Sequence, residues 1–468
     1  MKTRFAPSPT GLIHLGNART ALFSALLAMH DNGVFLLRIE DTDMERSLVE
    51  HEHALIADLH WLGIDWQEGV EVGGEHEPYH QSKRMGVYEQ YYQQLIDTGL
   101  AFECYKTEAE LEVNRKVQRA SGQPPRYPKS WRDQSPEEIA KKQAAGVKPA
   151  LRFKVPDGAI VEFEDLVKGK QQFAADDIGD FVIRKADGSP SFMFSNAVDD
   201  ALMGVTHVFR GEDHLTNTPR QLMIIDALKL RRPEYGHISL IMGADGAPLS
   251  KRNGSRSAQE LRELGFLPLA VTNYMARLGH YYADNDFMSY AQLAEKFNIS
   301  NLSKSAAKYD EQQLHYWQKA ALAALSEEEC WAWMGEQVHA LVPQEFHLLF
   351  VQTIRENVLF PQEALAWAQL LFADELNLPP EGEAILKAAG PQFFAVAIDT
   401  IKAQGADFKA VSEAVQNACG VKGKQLFQPL RLALTGQLHG PQMAGIVSLL
   451  GMERCVKRLG DVEAVLNA

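Results

Sequence analysis

The N-terminal segment has a succession of local patterns that strongly limits the fold: a strand, a proline-containing loop, a helix and a second strand. Residues 3–5 (TRF) predict a short strand, and Pro7 and Pro9 end it because a proline has no amide hydrogen to donate to a sheet. Apolar residues recur with helical spacing from Asn17 onward. Residues 34–37 (VFLL) are a continuous apolar run, typical of a parallel strand covered on both faces. This order predicts the first unit of a doubly wound sheet.

The loop between the first strand and the helix carries residues suited to binding phosphate. Gly11 and Gly16 allow sharp turns and close approach of a ligand to the backbone, and His14 and Asn17 lie where the helix starts. The unpaired amides and the dipole of a helix N-terminus favour an anion there. At the other end, Gly33 is expected to take a left-handed conformation that ends the helix. The alternative interpretation is that His14 only caps the helix and the prolines only shape the turn.

A second segment, far along the chain, strengthens the phosphate interpretation. Residues 248–252 (PLSKR) follow a glycine-rich loop at 243–246 (GADG) and precede Asn253 and Gly254. Adjacent lysine and arginine side chains on a flexible loop are suited to closing on the pyrophosphate end of ATP. Taken alone, the segment is equally compatible with a solvated charged turn. The two segments together, in this order and this far apart, indicate a nucleotide site.

The two segments resemble the signature motifs of the class I aminoacyl-tRNA synthetases, and most closely those of the bacterial glutamyl-tRNA synthetase family. Residues 14–17 (HLGN) resemble its HIGH motif, and residues 249–252 (LSKR) resemble its KMSKS loop. Further segments similar to that family follow in the family's order: 38–43 (RIEDTD), 61–64 (WLGI), 79–84 (YHQSKR), 198–200 (VDD), 205–208 (VTHV), 210–214 (RGEDH) and 218–221 (TPRQ). The resemblance is strong over about the first two-thirds of the chain and diffuse beyond it, and so many motifs in register are rarely coincidental.

Composition agrees with this resemblance in most respects. A chain of 468 residues predicts about three domains, at roughly 100–200 residues per domain. No apolar run is long enough to span a bilayer, no signal-like segment is present at the N-terminus, and the four cysteines are scattered, so the expected location is the cytoplasm. The 47 basic against 61 acidic residues give a net charge of −14, so a tRNA partner requires local basic patches on an acidic protein.

The predicted fold class is α/β: a class I synthetase Rossmann-type nucleotide-binding domain with an inserted acceptor-binding domain, followed by an all-α anticodon-binding region. The expected boundaries are 1–105 and 190–255 for the Rossmann catalytic domain, 106–189 for the inserted tRNA acceptor-binding domain, 256–320 for a helical stem-contact domain and 321–468 for the helical anticodon-binding region. Helical periodicity predicts C-terminal helices over 322–341, 363–372 and 393–403. A solvated surface in the insertion and a C-terminal scaffold without a ligand are the open alternatives.

The resemblance implies a reaction in two steps, in which glutamate and ATP form a glutamyl-adenylate that then acylates the 2′-hydroxyl of the terminal tRNA adenosine. The implied catalytic residues contact the phosphates: His14, Asn17, Lys251 and Arg252. The implied ATP-binding residues are Pro7, Gly16, Asp213, Ile241, Ser250 and Lys251. The implied glutamate-binding residues are Arg4, Ser8, Glu40, Phe192, Asn196, Arg210 and His214. ATP is expected to arrive with Mg²⁺, without a dedicated protein cage for the metal.

Among the implied glutamate-binding residues, the arginines and Glu40 have complementary charges. Arg4 and Arg210 match the family positions that hold the side-chain carboxylate, a role suited to a guanidinium because its planar fork meets both oxygens. Glu40 matches the position that binds the α-ammonium. Without the motifs, Glu40 would be interpreted as a surface carboxylate at a strand end and Arg210 as part of a structural ion pair.

Three features depart from the family pattern. Phe192 stands where members commonly have a tyrosine that touches the amino acid, and Pro248 stands where the loop usually has its first lysine. Many members bind zinc in the insertion through paired cysteines, but the corresponding segments here, 104–106 (CYK) and 131–133 (WRD), contain a single cysteine. One thiolate does not build a four-ligand structural site, so no zinc is expected.

The expected partners are glutamate, ATP and tRNA, with no membrane and a monomeric state. A duplicated or non-discriminating form that charges tRNA-Gln with glutamate would have almost the same sequence, so the choice between tRNA-Glu and tRNA-Gln is left open. A catalytically silent tRNA-binding paralogue is disfavoured by the intact site residues. A nucleoside-glutamylating relative lacks the helical C-terminal third, a glutaminyl enzyme has a largely β-barrel anticodon region, and the length and the Arg210 segment disfavour a nucleotidyltransferase.

Overall fold

The computed structural model describes residues 1–43, 49–250, 252, 254–372, 376 and 378–467. The chain divides into two compact units, the first comprising Met1–Leu261 and Val271–Glu311 and the second comprising Arg262–Ala270 and Gln312–Ala468. The first unit is built from sheets and helices, and the described part of the second is helical. The predicted α/β class with a helical C-terminal region is thereby confirmed.

The strands of the first unit form one large sheet and two small ones. Their bounds are β1 Lys2–Phe5, β2 Val34–Leu37, β3 Glu68–Gly69, β4 Ala101–Cys104, β5 Ala150–Phe153, β6 Ile160–Asp165, β7 Gly169–Ala174, β8 Phe181–Arg184, β9 His207–Gly211, β10 Glu234–Ile238, β11 Ile241–Met242 and β12 Ala307–Lys308. The large sheet has seven strands in the order β3-β2-β1-β9-β10-β6-β7, and every neighbouring pair is parallel except β6 with β7. Strands β4, β5 and β8 form an antiparallel sheet, and β11 pairs in parallel with β12.

Helices connect the parallel strands, because a parallel pair requires a crossover between its members. The bounds up to residue 295 are α1 Leu15–His30, α2 Val49–Trp61, α3 Met85–Asp97, α4 Glu108–Ala120, α5 Pro136–Ala144, α6 Ala175–Ile178, α7 Phe192–Leu202, α8 Thr218–Ala227, α9 Ala258–Leu264, α10 Pro268–Arg277 and α11 Tyr290–Glu295. In α1 the apolar stripe that includes Leu22 and Leu26 is fully buried, and the helix packs on β1 and β9. This packing fixes the position of the N-terminus of α1 relative to the ends of those strands.

The segment 106–189 contributes to two different sheets. Strands β5 and β8 lie with β4 in the antiparallel sheet, whereas β6 pairs with β10 of the large sheet through Asp165 and Tyr235. Part of the predicted insertion therefore extends the large sheet and brings Asp165 beside β10. The domain boundaries drawn from the sequence stay predictions.

The second unit is a set of helices around its own apolar core. From residue 311 onward the helices are α12 Glu311–Ala324, α13 Glu327–Met334, α14 Glu336–Leu341, α15 His347–Ile354, α16 Pro361–Phe372, α17 Glu383–Ala389, α18 Pro391–Gln404, α19 Phe408–Cys419, α20 Lys424–Thr435 and α21 Met443–Asn467. Phe350, Phe393 and Leu430 are fully buried in that core. Among the described residues no single helix has the length and apolar composition to cross a membrane, although α17 and α18, bent by 78°, meet those two criteria as a pair.

Candidate active site

A cavity of about 450 Å³ lies beside the carboxyl ends of the central strands. Its wall comes from the loop between β1 and α1, the residues just after β2, the start of α7 and the end of β9. These are the positions where ligands bind in open parallel sheets, because the loops diverge there and leave a crevice. The predicted site residues that line this cavity are Arg4, Pro7, Ser8, His14, Asn17, Glu40, Phe192, Asn196, Arg210 and His214.

A second cavity, of about 360 Å³, shares part of this wall. His14, Asn17 and His214 line both cavities. The predicted ATP-binding residues that line the second cavity are Gly16, Asp213, Ile241 and Ser250. Pro7, which is also predicted to bind ATP, lines the first cavity instead. Apart from Pro7, the described members of the two predicted groups lie around adjoining cavities that meet at the N-terminus of α1.

Of the two remaining predicted catalytic residues, only Arg252 belongs to the part of the chain that the structure describes. Arg252 is exposed and lines neither cavity. Lys251 lies outside the described residues. Their neighbour Ser250 lines the second cavity, so the described part of this loop does reach the proposed phosphate site.

His14 immediately precedes α1 and has an extended backbone, with φ −94° and ψ 159°. Its carbonyl oxygen accepts a hydrogen bond from the amide of Ala18 at 2.9 Å, but its side chain makes no capping hydrogen bond. The interpretation of His14 as a simple helix cap therefore does not account for its imidazole. A Cβ added at Gly16 would have no neighbour within 4 Å, so bare backbone faces open space beside it.

The loop that carries His14 is joined to the segment following residues 250–254. The amide of Ala258 donates to the carbonyl of Ile13 at 3.1 Å, and His14 forms an antiparallel bridge with Ser257. The two sequence motifs are therefore linked through the backbone at the edge of the second cavity. This contact keeps them together although they are far apart in the sequence.

Residues 241–249, which precede Ser250, form a hairpin in which Pro248 fits without strain on the hydrogen bonding. The amide of Leu249 donates to the carbonyl of Ile241 at 2.7 Å, and that of Gly243 donates to the carbonyl of Ala247 at 2.8 Å. Pro248 lies opposite Met242 and is not required to donate an amide hydrogen. The exchange of the family's lysine for Pro248 is therefore compatible with the local backbone.

A network of buried charges lies beneath the first cavity. The carboxylate of Asp200 accepts hydrogen bonds from Arg4 Nε at 3.2 Å and from Arg38 Nη1 at 2.8 Å. Arg38 also donates through Nη2 to Glu40 Oε1 at 3.3 Å. Burial acts to raise the pKa of Asp200, but the two arginines outweigh it and the pKa is lowered. Asp200 therefore stays ionised and holds Arg4 in place.

Glu40 is buried at the cavity wall and is oriented by an amide. Asn196 Nδ2 donates to Glu40 Oε1, and Gln221 Nε2 donates to Asn196 Oδ1 at 3.0 Å. Burial raises the pKa of Glu40, against the opposing effects of Arg38 and Arg4. Its surroundings are not those of the exposed strand-end carboxylate considered as the alternative.

Arg210 lies at another part of the wall, and no carboxylate of the described residues accepts a hydrogen bond from it. Its Nε donates to His237 Nε2 at 3.1 Å and its Nη2 donates to Thr218 Oγ1 at 2.8 Å. Its Nη1 is buried and has no hydrogen-bond partner among the described residues. Burial lowers the pKa of Arg210 to about 10, which leaves the side chain charged at neutral pH. The interpretation of Arg210 as part of an ion pair is not supported.

Phe192 and His214 form an aromatic corner of the first cavity. Their ring centroids are 5.4 Å apart with an interplanar angle of 36°. Burial lowers the pKa of His214, which favours a neutral imidazole. The side chain at 192 thus lines the first cavity but contributes no hydroxyl group.

The structure adds buried polar residues that the sequence interpretation did not select. Arg38, Arg19, His237 and Asp165 are each at most 3% exposed. Arg38 could have been selected from the sequence, because a charged residue directly after the apolar run of a strand requires a buried partner. His237 and Asp165 lie in strands of ordinary pattern and carried no comparable signal.

The two segments that correspond to the family's zinc-binding positions, where no zinc is expected, contact each other through Tyr127. Cys104 is buried, and its Sγ lies 3.2 Å from Tyr127 Oη, which in turn donates to the carbonyl of Trp131 at 3.2 Å. Among the described residues, no group of three or more histidine, cysteine, aspartate or glutamate side chains is arranged to hold a metal ion.

Comparison with known proteins agrees with this geometry. The family model described as tRNA synthetases class I (E and Q), catalytic domain, matches residues 1–316, and an anticodon binding domain model matches residues 350–462. The chain is 53% identical to a glutamate–tRNA ligase 2 of Nitrosococcus oceani over 98% of this chain and 97% of that protein. It is 51% identical to a glutamate–tRNA ligase 2 of Coxiella burnetii over 98% of this chain and 99% of that protein.

A solved structure has the same fold over its whole length. The crystal structure of a glutamate tRNA ligase from Elizabethkingia meningosepticum, in complex with its amino acid, superposes with a TM-score of 0.91 at 27% sequence identity. The match covers 100% of this chain and 99% of that one.

Proposed function

Because the chain belongs to the class I tRNA synthetases of the glutamate and glutamine type, we propose that it is a glutamate–tRNA ligase that attaches glutamate to tRNA-Glu. The observation that carries this proposal is the charge of the first cavity. Arg4 and Arg210 line it together with Glu40, which suits a ligand with a carboxylate at one end and an ammonium group at the other.

The first step joins glutamate to the nucleotide. One oxygen of the glutamate α-carboxylate attacks the α-phosphorus of ATP, and the bond to the β-phosphate oxygen breaks, which gives glutamyl-adenylate and pyrophosphate. In our proposal His14 and Asn17 donate hydrogen bonds to the phosphates from the shared wall, and their contacts strengthen as charge develops. Lys251 and Arg252 are proposed to neutralise the β- and γ-phosphates.

Magnesium is proposed to arrive with ATP. Mg²⁺ is usually bound by one or two carboxylates together with substrate phosphates, and Asp213 is a carboxylate that lines the second cavity. The ion would neutralise phosphate charge. Pro7, Gly16, Ile241 and Ser250 are proposed to contact the rest of the nucleotide.

The second step transfers the glutamyl group to tRNA. The 2′-hydroxyl of the terminal adenosine attacks the carbonyl carbon of the adenylate and releases its proton, and AMP leaves with the electron pair of the broken bond. Ser8, Phe192, Asn196 and His214 are proposed to hold the glutamyl group during both steps. The match of residues 350–462 to an anticodon binding domain supports tRNA as the acceptor.

The finer features of the function are also our proposals. We propose that the protein acts as a monomer in the cytoplasm, contains no zinc and prefers tRNA-Glu. The insertion 106–189 is proposed to contact the acceptor end, and the region 321–468 is proposed to contact the anticodon.

The test is aminoacylation of purified tRNA-Glu and tRNA-Gln with labelled glutamate and, separately, labelled glutamine. We expect glutamate to be attached to tRNA-Glu and glutamine to neither tRNA. Glutamate on both tRNAs would indicate a non-discriminating enzyme. No charging of either tRNA in the presence of ATP and Mg²⁺ would contradict the proposed activity.

A further inference from the structure

Arg210 and Arg4 line the same cavity but are held in different ways. Arg4 donates directly to a carboxylate, Asp200, whereas no carboxylate pairs with the guanidinium of Arg210 among the described residues. Instead a histidine and a threonine accept the hydrogen bonds of Arg210. The charge of Arg210 is thus fixed in position without being neutralised.

The hydrogen bonds around His237 permit only one protonation state. A guanidinium nitrogen only donates, so His237 Nε2, at 3.1 Å from Arg210 Nε, must accept. The ring hydrogen is then on Nδ1, which donates to Asp165 Oδ2 at 2.5 Å. The hydroxyl of Thr218 accepts from Arg210 Nη2 and lies 3.0 Å from the same His237 Nε2. The imidazole is therefore neutral, with its hydrogen on Nδ1.

The surroundings of His237 support that neutral state. Burial lowers the pKa of His237, with a further contribution from the charge of Arg210, although the hydrogen bond with Asp165 opposes the shift. Other groups near it include the ring of Tyr235, with a centroid 6.2 Å away, the charge of Asp213 and the imidazole of His214. Asp165 and His237 are 2% and 0% exposed, so solvent does not screen these interactions.

We propose that His237 and Asp165 are positioning residues that make the cavity select a side-chain carboxylate over a side-chain amide. Asp165 orients the imidazole, the imidazole orients Arg210, and the ring between them keeps the Asp165 carboxylate from pairing with the guanidinium. Arg210 then offers a full positive charge to the ligand, which a glutamate side chain compensates and a glutamine side chain does not. This inference rests on the proposed function and specifies how its amino-acid selectivity arises.

The selectivity has an energetic basis in the free atom of Arg210. Its Nη1 is buried and has no hydrogen-bond partner in the part of the chain that the structure describes, and a buried donor that stays unpaired is costly, more so when it carries charge. A carboxylate oxygen accepts from Nη1 and supplies the missing charge. A side-chain amide supplies an oxygen that accepts from Nη1 but leaves the positive charge uncompensated. Discrimination between glutamate and glutamine therefore depends on how precisely the guanidinium is positioned.

Two substitutions of His237 separate its two contacts. His237→Gln places a carbonyl oxygen near the position of Nε2 and so preserves an acceptor for Arg210. His237→Asn preserves a donor near the position of Nδ1 for Asp165 but removes the acceptor for Arg210. We expect His237→Asn to raise the glutamate KM about 10-fold or more, with kcat and the ATP KM changed less than about 3-fold. We expect the glutamate KM of His237→Gln to stay much closer to that of the wild type.

The control is His280→Asn, which alters a buried histidine that lines neither cavity. We expect its glutamate KM to match that of the wild type. An equal rise of the glutamate KM in both His237 variants, or the same rise in His280→Asn, would overturn the positioning role. A glutamate-to-glutamine preference that stays unchanged in His237→Asn would overturn it as well.

The tautomer of His237 provides a test that does not depend on activity. In ¹⁵N-labelled full-length protein the His237 signals, assigned by their loss in His237→Gln, should be those of a neutral ring protonated on Nδ1 at pH 7. A hydrogen on Nε2, or an imidazolium, would refute the arrangement whatever the enzyme charges. Failure of the wild type to charge tRNA with glutamate would instead contradict the proposed function, and the tautomer would still decide the arrangement around Arg210.

Discussion

Glu40 combines a buried position with several positive neighbours. Burial raises the pKa of its carboxyl, while Arg38, Arg4 and the hydrogen bond from Asn196 act to lower it. An α-ammonium group in the cavity would bring one more positive charge to the carboxylate, which favours its ionised form. Binding of the amino acid and ionisation of Glu40 therefore favour each other.

His14 provides a prediction about the chemical step. Because its contact with the phosphates is expected to be strongest in the transition state, His14→Ala should lower kcat about 100-fold or more and change the glutamate KM little. Steady-state charging of tRNA measures both constants. His30→Ala, at the opposite end of α1, is the matched control and should leave them unchanged. An unchanged kcat with a raised glutamate KM in His14→Ala would remove His14 from this role.

Site residues could be predicted where they belong to motifs, and not where they act through other residues. Arg210 and Glu40 were selected by resemblance, and both line the first cavity. His237 and Asp165 are 72 positions apart in the sequence, and their contact arises only when β6 pairs with β10. A pairing between distant strands leaves no local pattern, so one sequence could not reveal it.

In the second unit, the side chain of Arg458 donates hydrogen bonds to the C-terminal ends of two helices, α16 and α20. Arg458, 3% exposed, donates through Nη1 to the carbonyl of Leu434 at 2.6 Å, in the last turn of α20. Its Nη2 donates to the carbonyl of Leu370 at 2.8 Å, in the last turn of α16. The final carbonyls of a helix lack partners within the helix, so this one arginine satisfies groups of two helices.

Arg458→Met is expected to destabilise both helix ends. The methionine keeps much of the buried stem but leaves buried carbonyl groups without donors, which costs about 2–4 kcal/mol. Amide hydrogen exchange of the full chain should show reduced protection in α16 and α20. Lys457→Ala, which removes an exposed ion pair with Asp461, is the control and should cost less than about 0.5 kcal/mol. Unchanged protection in Arg458→Met would show that water replaces the guanidinium.

Helix boundaries followed the sequence pattern only in part. The single helix predicted over 322–341 is wrong, because the structure has α12, α13 and α14 there. A capping box between Ser326 and Glu329 starts α13, and Gly335, with φ 87°, separates it from α14. The apolar periodicity continues through both breaks and therefore does not reveal them. The spacing of Ser326 and Glu329, however, is typical of a capping box and indicates the start of a helix.

The end of α1 corrects the expected role of one glycine. Asn32, not Gly33, takes the positive φ, at 50°. Gly33 is needed for a different reason, because a Cβ there would clash with the backbone carbonyl of Met1. The sequence predicted the helix end but not the approach of the first residue, which depends on the pairing of β1 with β2.

The whole molecule carries a net charge of −14 and is proposed to bind a polyanion. Long-range attraction therefore does not come from overall charge, and local basic contacts must outweigh the repulsion. Such contacts lose affinity steeply as salt rises. Assays of this protein need a fixed ionic strength for their binding constants to be comparable.

Activation of glutamate is predicted to depend on tRNA. The resemblance to the glutamyl-tRNA synthetase family implies that tRNA must be bound for the first step, because the acceptor end completes the ATP site. Glutamate-dependent exchange of pyrophosphate into ATP by the full chain should be negligible without tRNA and should appear when tRNA-Glu is added. A non-cognate tRNA at the same concentration is the control. Robust exchange in the absence of tRNA would contradict this dependence.

The purified protein is predicted to contain no stoichiometric zinc. Cys104 contacts Tyr127 at 3.2 Å, and one thiolate does not provide a tetrahedral site. Elemental analysis should find far less than one zinc per chain. Treatment with a chelator followed by restoration of Mg²⁺ should leave activity and melting temperature unchanged. One tightly held zinc per chain would contradict the prediction.

The buried charges beneath the first cavity also limit which substitutions this site tolerates during evolution. Arg4 and Arg38 share Asp200, and Arg38 also contacts Glu40, so replacing one member leaves another buried charge without its partner. An unpaired buried charge costs about 3–5 kcal/mol, a large part of the stability of a typical domain. Evolutionary change in this layer therefore favours compensated exchanges, whereas single substitutions accumulate more readily on the exposed wall of the cavity, at positions such as Thr10.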